Sequence, residues 1–345
     1  MQGNAPIDSA KSGRAALERI VARHSKPSRW RSNWQLINSI IPYLALNVAM
    51  YFTLSVSYWL TLGLAVIAAG FLIRIFIIFH DCGHGSFFRS KRANNFWGAV
   101  AGVLTFTPYY TWKKRHAEHH ATSGDLDRRG VGDVWTMTVK EYIAATRAQR
   151  AWYRFYRHPL VLFVLGPLQV LLIQNRRILP GSNRKDVISV MGTNLSLAII
   201  VAAVWLTVGI EAYLLIQLPI ILIGLALGIW LFYVQHQFEG VYWERGEKWD
   251  FVAASLEGSS YYKLPKIFQW FSGNIGFHHV HHLNSRVPNY RLEDCHHDLT
   301  QVRPIPEVGL FRSLRSLKFR LWDEDRRQLI SFRQFRKLRL QPTTE

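Results

Sequence analysis

From Ser32 to Ile73 the chain carries no charged side chain, and from Val187 to Gln237 it carries only Glu211. A helix needs about 20 apolar residues to cross the hydrocarbon of a bilayer, so each stretch has room for two. The pattern predicts spans at 36–55 and 58–79, broken near Ser55-Val-Ser57, and at 187–209 and 212–235, turning near Gly209. Lys and Arg are abundant before the first span and after the second, which places those ends in the cytoplasm by the positive-inside rule. Arg74 falls in the second span, close enough to its cytoplasmic end to snorkel.

Two shorter apolar stretches, 95–110 and 159–174, are broken by Pro108 and by Gly166-Pro167. They read as buried or interfacial helices, with a re-entrant segment as the alternative. Residues 1–31 mix Lys11, Arg14, Arg19, Arg23, Lys26, Arg29 and Arg31 with Leu17, Ile20, Val21 and Trp30, which predicts a ragged tail and then a basic amphipathic helix on the headgroups. Leu310, Leu314, Leu317 and Leu321 stand at helical spacing in a basic context, so 310–340 reads as a second surface-lying helix. Tyr242, Trp243, Trp249, Tyr261 and Tyr262 read as an interfacial belt. The expectation is an all-α integral membrane protein: four transmembrane helices in two hairpins under a cytoplasmic helical cap. Its divisions are a basic segment 1–31, a membrane domain 32–300 and a basic amphipathic tail 301–345.

Composition sharpens this picture. The net charge is +19, with 13 Trp, 20 Phe and 14 Tyr. The positive charge flanks the apolar spans, which suits anionic headgroups and acidic partner proteins rather than nucleic acid. The two cysteines, Cys82 and Cys295, read as reduced cytosolic thiols. Cys82 reads as a small buried residue, with a thiolate ligand as the alternative. The polar, basic N-terminus has no apolar core of a signal peptide.

The candidate chemistry lies in histidine. Three groups stand out: His80-Asp-Cys-Gly-His84, His116-Ala-Glu-His119-His120 and His278-His-Val-His281-His282. Residues four apart share a helix face, about 6 Å along the axis, so each group aims two or three imidazoles one way. His279 breaks the spacing and is expected to face away. All the groups fall at or beyond span ends, as does His236, so the topology puts them at one height on the cytoplasmic side. Neutral imidazole suits iron, zinc, copper and nickel. Nine imidazoles exceed the four ligands one zinc takes and fit two metals. Soluble di-iron bundles use Glu and Glu-x-x-His instead. An open iron pair beside an apolar interior suggests oxygen activation against an unactivated C–H bond. Groups available to fix imidazole tautomers are Asp81, Glu118, Asp125, Asp127 and Glu239. Asn274, four before His278, can face the metal or serve as a cap or turn residue.

The stretches His80-Asp-Cys-Gly-His-Gly-Ser-Phe-Phe88, His116-Ala-Glu-His-His120 and Gly276-Phe-His-His-Val-His-His282 resemble the three histidine boxes of membrane-bound fatty acid desaturases. Arg128-Arg-Gly-Val-Gly-Asp-Val-Trp135 and Gln235-His-Gln-Phe-Glu239 resemble the bacterial and plastid delta-12 / omega-3 acyl-lipid branch, over about residues 35–300. The resemblance implies a di-iron enzyme of the bacterial inner membrane, probing acyl lipid from the cytoplasmic side. It would use O2 and two electrons to introduce a cis double bond, of delta-12 / omega-6 type. By that analogy His80, His84, His116, His119, His120, His278, His281 and His282 are iron ligands and His236 an accessory one.

The pattern also departs from relatives. Animal acyl-CoA desaturases place an Asn one turn before the accessory histidine, where this chain has Phe232, and their first box has four intervening residues against three here. No His-Pro-Gly-Gly stretch of a fused cytochrome b5 module occurs, which implies a separate donor, ferredoxin or a cytochrome b5-like protein. Lys113-Lys-Arg115 and Arg89 to Arg92 suit an acidic donor, or phospholipid headgroups. Two alternatives share the boxes or the ligand type: a fatty acid hydroxylase on the same scaffold, and a zinc-dependent membrane hydrolase. A metal transporter would place ionisable ligands near the bilayer midplane, and the stretch from Ser32 to Ile73 has none.

Overall fold

The computed structural model describes residues 5–340. Residues 1–4 of the expected N-terminal segment and 341–345 of the expected tail lie outside the described residues. In chain order the helices are α1 (Ala5–His24), α2 (Arg29–Thr53), α3 (Tyr58–His84), α4 (Lys91–Leu104), α5 (Tyr109–Thr122), α6 (Val139–Ala144), α7 (Arg147–Tyr156), α8 (Gly166–Leu172), α9 (Arg184–Thr207) and α10 (Ile210–His236). There follow α11 (Phe251–Leu256), α12 (Lys266–Phe271), α13 (His278–Leu283), α14 (Leu292–Thr300), α15 (Leu310–Ser313) and α16 (Phe332–Leu340). Short strands make two two-stranded sheets. Parallel β1 (Tyr261–Lys263) and β2 (Glu307–Gly309) pair with Tyr262 opposite Val308. Antiparallel β3 (Leu321–Asp323) and β4 (Gln328–Ile330) pair with Trp322 opposite Leu329.

Helices α2, α3, α9 and α10, of 25, 27, 24 and 27 residues, are long and apolar enough to cross a membrane. Helices α3 and α10 cover the predicted spans 58–79 and 212–235 and extend past them, whereas α2 and α9 start earlier than predicted and end two residues short, at Thr53 and Thr207. Helix α3 runs unbroken to His84 because Gly85 follows at φ 71°, a left-handed conformation that suits glycine, and its N–H closes on Cys82 O. Helix α9 starts at a capping box in which Asn183 and Asp186 satisfy each other's backbone N–H. The apolar stretch 159–174 is irregular, as its Gly-Pro pair predicts: a π-helical turn over Val161–Leu165 leads into α8. Helix α7 and the segment Val161–Arg176 meet at a 67° bend.

Helix α3 forms the centre. Ala65, Ala68 and Ala69 are fully buried and let α2 and α10 approach closely. Polar pins reinforce the contact. Thr53 and Thr61 share a 2.8 Å hydrogen bond, and Tyr43 OH donates to Gln217, whose amide bonds Asn47. Helix α4 turns sharply into α5 at two glycines. A Cβ on Gly98 would lie 2.2 Å from the Tyr109 ring, and one on Gly102 would lie 2.6 Å from Thr107 O. This turn brings α5 back along α3, where Tyr109 OH donates to Cys82 O at 2.6 Å. The second histidine group is thereby set against the first.

Several sequence expectations are corrected. Residues 310–340 are not one helix. Leu321 and Trp322 are buried, Trp322 N–H bonds Met137 O, and Asp323 accepts from Arg326 N–H to close the β3–β4 turn. Burying the Trp322 ring in the protein outweighs the helical spacing of the leucines. Of the expected aromatic belt only Tyr262 is fully buried; Tyr242, Trp243, Trp249 and Tyr261 are half-buried, with Tyr261 stacked on Phe277 at 4.7 Å and Trp243 packed on Trp322. Arg74 does not snorkel. It is buried, donates to Trp270 O, and its guanidinium lies 4.0 Å from the Trp270 ring centroid. The apolar face of α1, Leu17, Ile20 and Val21, packs in a core with Cys295 and Leu299 of α14 rather than on headgroups.

Candidate metal centre

Each histidine group rides on an element whose course follows from its sequence. His80 and His84 end α3, His116, His119 and His120 end α5, His236 is the last residue of α10, and α13 carries the third group. The structure brings all nine of these imidazoles together. One ligand nitrogen from each of His80, His84, His116, His120 and His281 lies within 4.8 Å of the others, and the same holds for His119, His236 and His282. His278 joins the second set through Nε2, 2.9 Å from His236 Nε2 and 3.2 Å from His282 Nε2.

Helical geometry explains the division. Neighbours on a helix diverge by about 100°. His119 and His120 therefore point to different sets, and so do His281 and His282. The sets abut: the His120 and His282 rings stack at 4.2 Å.

The donor atoms fit metal cations. His116, His120 and His281 face one another in sequence through Nε2 atoms at 3.1 and 2.9 Å. A single Nε2–H satisfies only one such contact, and the remaining lone pairs need a shared cation. Two carboxylates settle tautomers, since a carboxylate only accepts. His80 Nδ1 bonds Asp81 at 3.0 Å and His119 Nδ1 bonds Asp133 at 2.7 Å. Each carboxylate therefore holds a proton on Nδ1 and leaves Nε2 as the atom free to meet a metal, and His119 Nε2 is buried with no protein partner. Burial first, and neighbouring imidazoles second, hold His116, His120, His278, His281 and His282 well below the usual histidine range. They are neutral lone-pair donors at neutral pH.

The surroundings are tight. Trp112 stacks on His116 at 4.3 Å, and a Cβ on Gly83 would lie 2.9 Å from the same indole. That contact accounts for the glycine in the first group. Phe232 packs against His119 and His236, with ring centroids 5.2 and 4.9 Å away. A small cavity beside His236 has a mixed wall, with Leu126, Trp135 and Phe232 on one hand and Asp125, Arg129 and Asp133 on the other.

Of the expected supporting residues, Asp81 reaches a histidine and is itself held by Asn289, whose N–H and Nδ2 donate at 2.7 and 2.9 Å. Glu118 is exposed. Asp125 is buried but serves Arg128 and the Asp127 N–H. Asp127 pairs with Arg245, and Glu239 with Arg312. Asn274 occupies a left-handed turn at φ 60°, its amide directed to Asn289 O. Among the described residues none of these last five touches a box histidine. His279 faces away and bonds His296 at 3.0 Å. Cys82 is buried outside both sets. Sequence reasoning missed Asp133 and Asn289. Gly130 and Gly132 before Asp133 and Pro288 before Asn289 are the local hints that the backbone turns back there.

Comparison with known proteins adds a family. Residues 57–311 match the model described as fatty acid desaturase. The chain is similar to a fatty acid desaturase of Bacillus subtilis, 51% identical over 317 residues, which cover 92% of this chain and 90% of the relative. An sn-1 oleoyl-lipid 12-desaturase of Picosynechococcus is 26% identical over 264 residues, 75% of this chain and 74% of the relative. An sn-1 acyl-lipid omega-3 desaturase (ferredoxin) of Synechocystis is 28% identical over 233 residues, 63% and 61%.

Proposed function

The chain belongs to the fatty acid desaturase family, and on that premise we propose that it introduces a cis double bond into the acyl chain of a membrane lipid, at the delta-12 position. The observation that carries the reading is the division of nine imidazoles into two adjoining sets, five and four, with no carboxylate in either. His80, His84, His116, His120 and His281 would hold one iron, and His119, His236, His278 and His282 the other. An iron pair bound there supplies the oxidising power that an unactivated C–H bond requires.

The protein's own part is orientation and exclusion of water. Asp81 and Asp133 keep His80 and His119 as Nε2 donors. Trp112 and Phe232 close the sets from the side. Four spans in two hairpins would leave His84, His236 and the ends of α5 and α13 on the cytoplasmic side of a bacterial inner membrane. The delta-12 position is supported by the similarity to oleoyl-lipid 12-desaturases.

Electrons would come from a separate acidic carrier. A ferredoxin is supported by the name of the Synechocystis relative. Charge supports it too: burial and then the neighbouring Lys91 hold the Lys113 ammonium below its ordinary value, with Lys185 also close enough to repel it. Such a crowd of lysines favours an anionic partner.

The test is expression in a host rich in monounsaturated lipid and supplied with ferredoxin, followed by fatty-acid profiling with double-bond localisation. A new diene with its second bond at carbon 12 is expected. Iron-loaded protein that yields no new double bond overturns the proposal, and a hydroxylated product reassigns it.

A further inference from the structure

The segment from Leu310 to Phe319 is folded inside out. Its inward residues are small and polar. Ser313 is fully buried and shares a 3.1 Å hydrogen bond with Tyr262 OH, and Ser316 is buried with its carbonyl accepting from Tyr233 OH at 2.8 Å. Its outward residues are large and apolar: Phe311 is 84% exposed and Leu314 55%, with Leu310 beside them. Against water this arrangement loses the burial of three large side chains that one helical rotation would recover. Against hydrocarbon it is the favourable one.

Position agrees. Tyr233 lies three residues before the end of α10 at His236, so its bonds to Ser316 O and Phe319 O fix the segment where that span leaves the bilayer. Between the apolar prong and the span end lies a cavity of about 160 Å³, walled by Phe238, Glu239, Glu307, Arg312, Arg315 and Phe319, with the Glu307 carboxylate already paired with Lys263 at 3.1 Å. Arg312 donates to Glu239 at 3.0 Å, and Arg315 approaches the same oxygen at 3.8 Å. Glu239 thus gathers two guanidinium groups on one spot. Each has five N–H donors, most of them free of protein partners, and the trio keeps a net positive charge.

We propose that Leu310, Phe311 and Leu314 insert into the cytoplasmic leaflet and that Arg312 and Arg315 bind the phosphodiester of an anionic phospholipid at the adjoining cavity. This rests on the membrane reading above. The occupant is a lipid rather than free phosphate because the apolar prong and the cation pair adjoin on one surface, at the depth set by Tyr233.

The full-length, metal-loaded enzyme in phosphatidylglycerol nanodiscs tests this. Cys82 and Cys295 are buried, so a nitroxide on Phe311→Cys reports one site, with Asp325→Cys as the aqueous reference and Leu195→Cys as the membrane reference. Collisions with oxygen should exceed those with a nickel chelate at 311, as at 195. Nickel access at 311 equal to that at 325, with 195 still shielded, overturns the inference while the membrane reading stands. Nickel access at 195 as well overturns both. In native mass spectrometry, Arg312→Gln/Arg315→Gln should retain roughly 30-fold less phosphatidylglycerol at low salt and unchanged phosphatidylcholine. Undiminished phosphatidylglycerol removes the headgroup site.

Discussion

Asp133 accepts a 2.7 Å hydrogen bond from His119 Nδ1, and the loop that delivers it passes so close that a Cβ on Gly132 would lie 3.0 Å from His119 Cβ. The carboxylate thereby decides which nitrogen of His119 faces the second histidine set. Outer partners of this kind are worth about 10–100-fold in metal affinity or activity. Asp133→Ala should lower the metal content from two toward one per chain and cut desaturation by a factor in that range. Asp133→Asn should do nearly as much, because the amide keeps the size but no longer requires Nδ1 to carry the proton. Elemental analysis of purified protein, paired with fatty-acid profiling, reads both. An unchanged metal-to-protein ratio in both variants would mean that burial alone orients His119.

Gly83 leaves room for Trp112, whose indole stacks on His116 with planes 19° apart. Gly83→Ala should push the indole and His116 off line. Overpacking costs about 1–3 kcal/mol and should appear as a lower melting temperature in detergent. Phenylalanine at 112 removes the six-membered indole ring that the new methyl would strike. The double variant Gly83→Ala/Trp112→Phe should therefore be less destabilised than the sum of its single variants. Strict additivity would show that the two residues do not compete for the same space.

Burial lowers the proton affinity of His116, His120, His278, His281 and His282 in the folded protein. The unfolded chain, with ordinary values near 6.5, then binds more protons between that value and the depressed folded ones. The sign follows: stability of the metal-free protein is retained above about pH 6.5 and falls as the pH drops below it. Melting of chelator-treated protein between pH 8 and 5.5 should show the decline. Metal should raise the melting temperature at pH 8 more than at pH 5.5, since protons compete for the same nitrogens. Equal melting temperatures across that range in metal-free protein contradict the burial argument.

How far the sequence could be read depended on whether the deciding contact was local. The four long helices were legible because an uncharged run of membrane length admits few other folds. The histidines were legible because i,i+4 spacing is a property of one helix, and the structure brings all nine into adjoining sets. Asp133 and Asn289 were not. Each reaches a box residue through a turn whose course depends on packing, His119 fourteen residues away and Asp81 in another helix. Periodicity misled at Leu310–Leu321, where buried Ser313 and Ser316 reverse the usual inside and outside and Trp322 draws the chain into a strand. Aromatic content misled at Tyr262, since a protein interior and a bilayer interface favour the same side chains.

Arg157 offers the sharpest test of how the region around the second set is held. Its guanidinium is buried and, among the described residues, has no carboxylate partner. It donates instead to Trp135 O, Thr136 Oγ1, Tyr233 OH, Gln237 Oε1 and Phe319 O at 2.9–3.3 Å. Three segments meet there: the loop that carries Asp133, the end of α10 beside His236, and the stretch before β3. Arg157→Met takes the donor from Trp135 O and Gln237 Oε1, and each buried acceptor left unsatisfied costs about 1–3 kcal/mol. Arg157→Lys keeps the charge but offers three donors from a single point, which cannot span acceptors on three segments. Both variants should melt well below the parent, methionine lower than lysine, and both should lose metal in step with Asp133→Ala. A methionine variant that melts with the parent yet loses metal would place Arg157 in local alignment only. One that keeps both would show that the three segments hold without it.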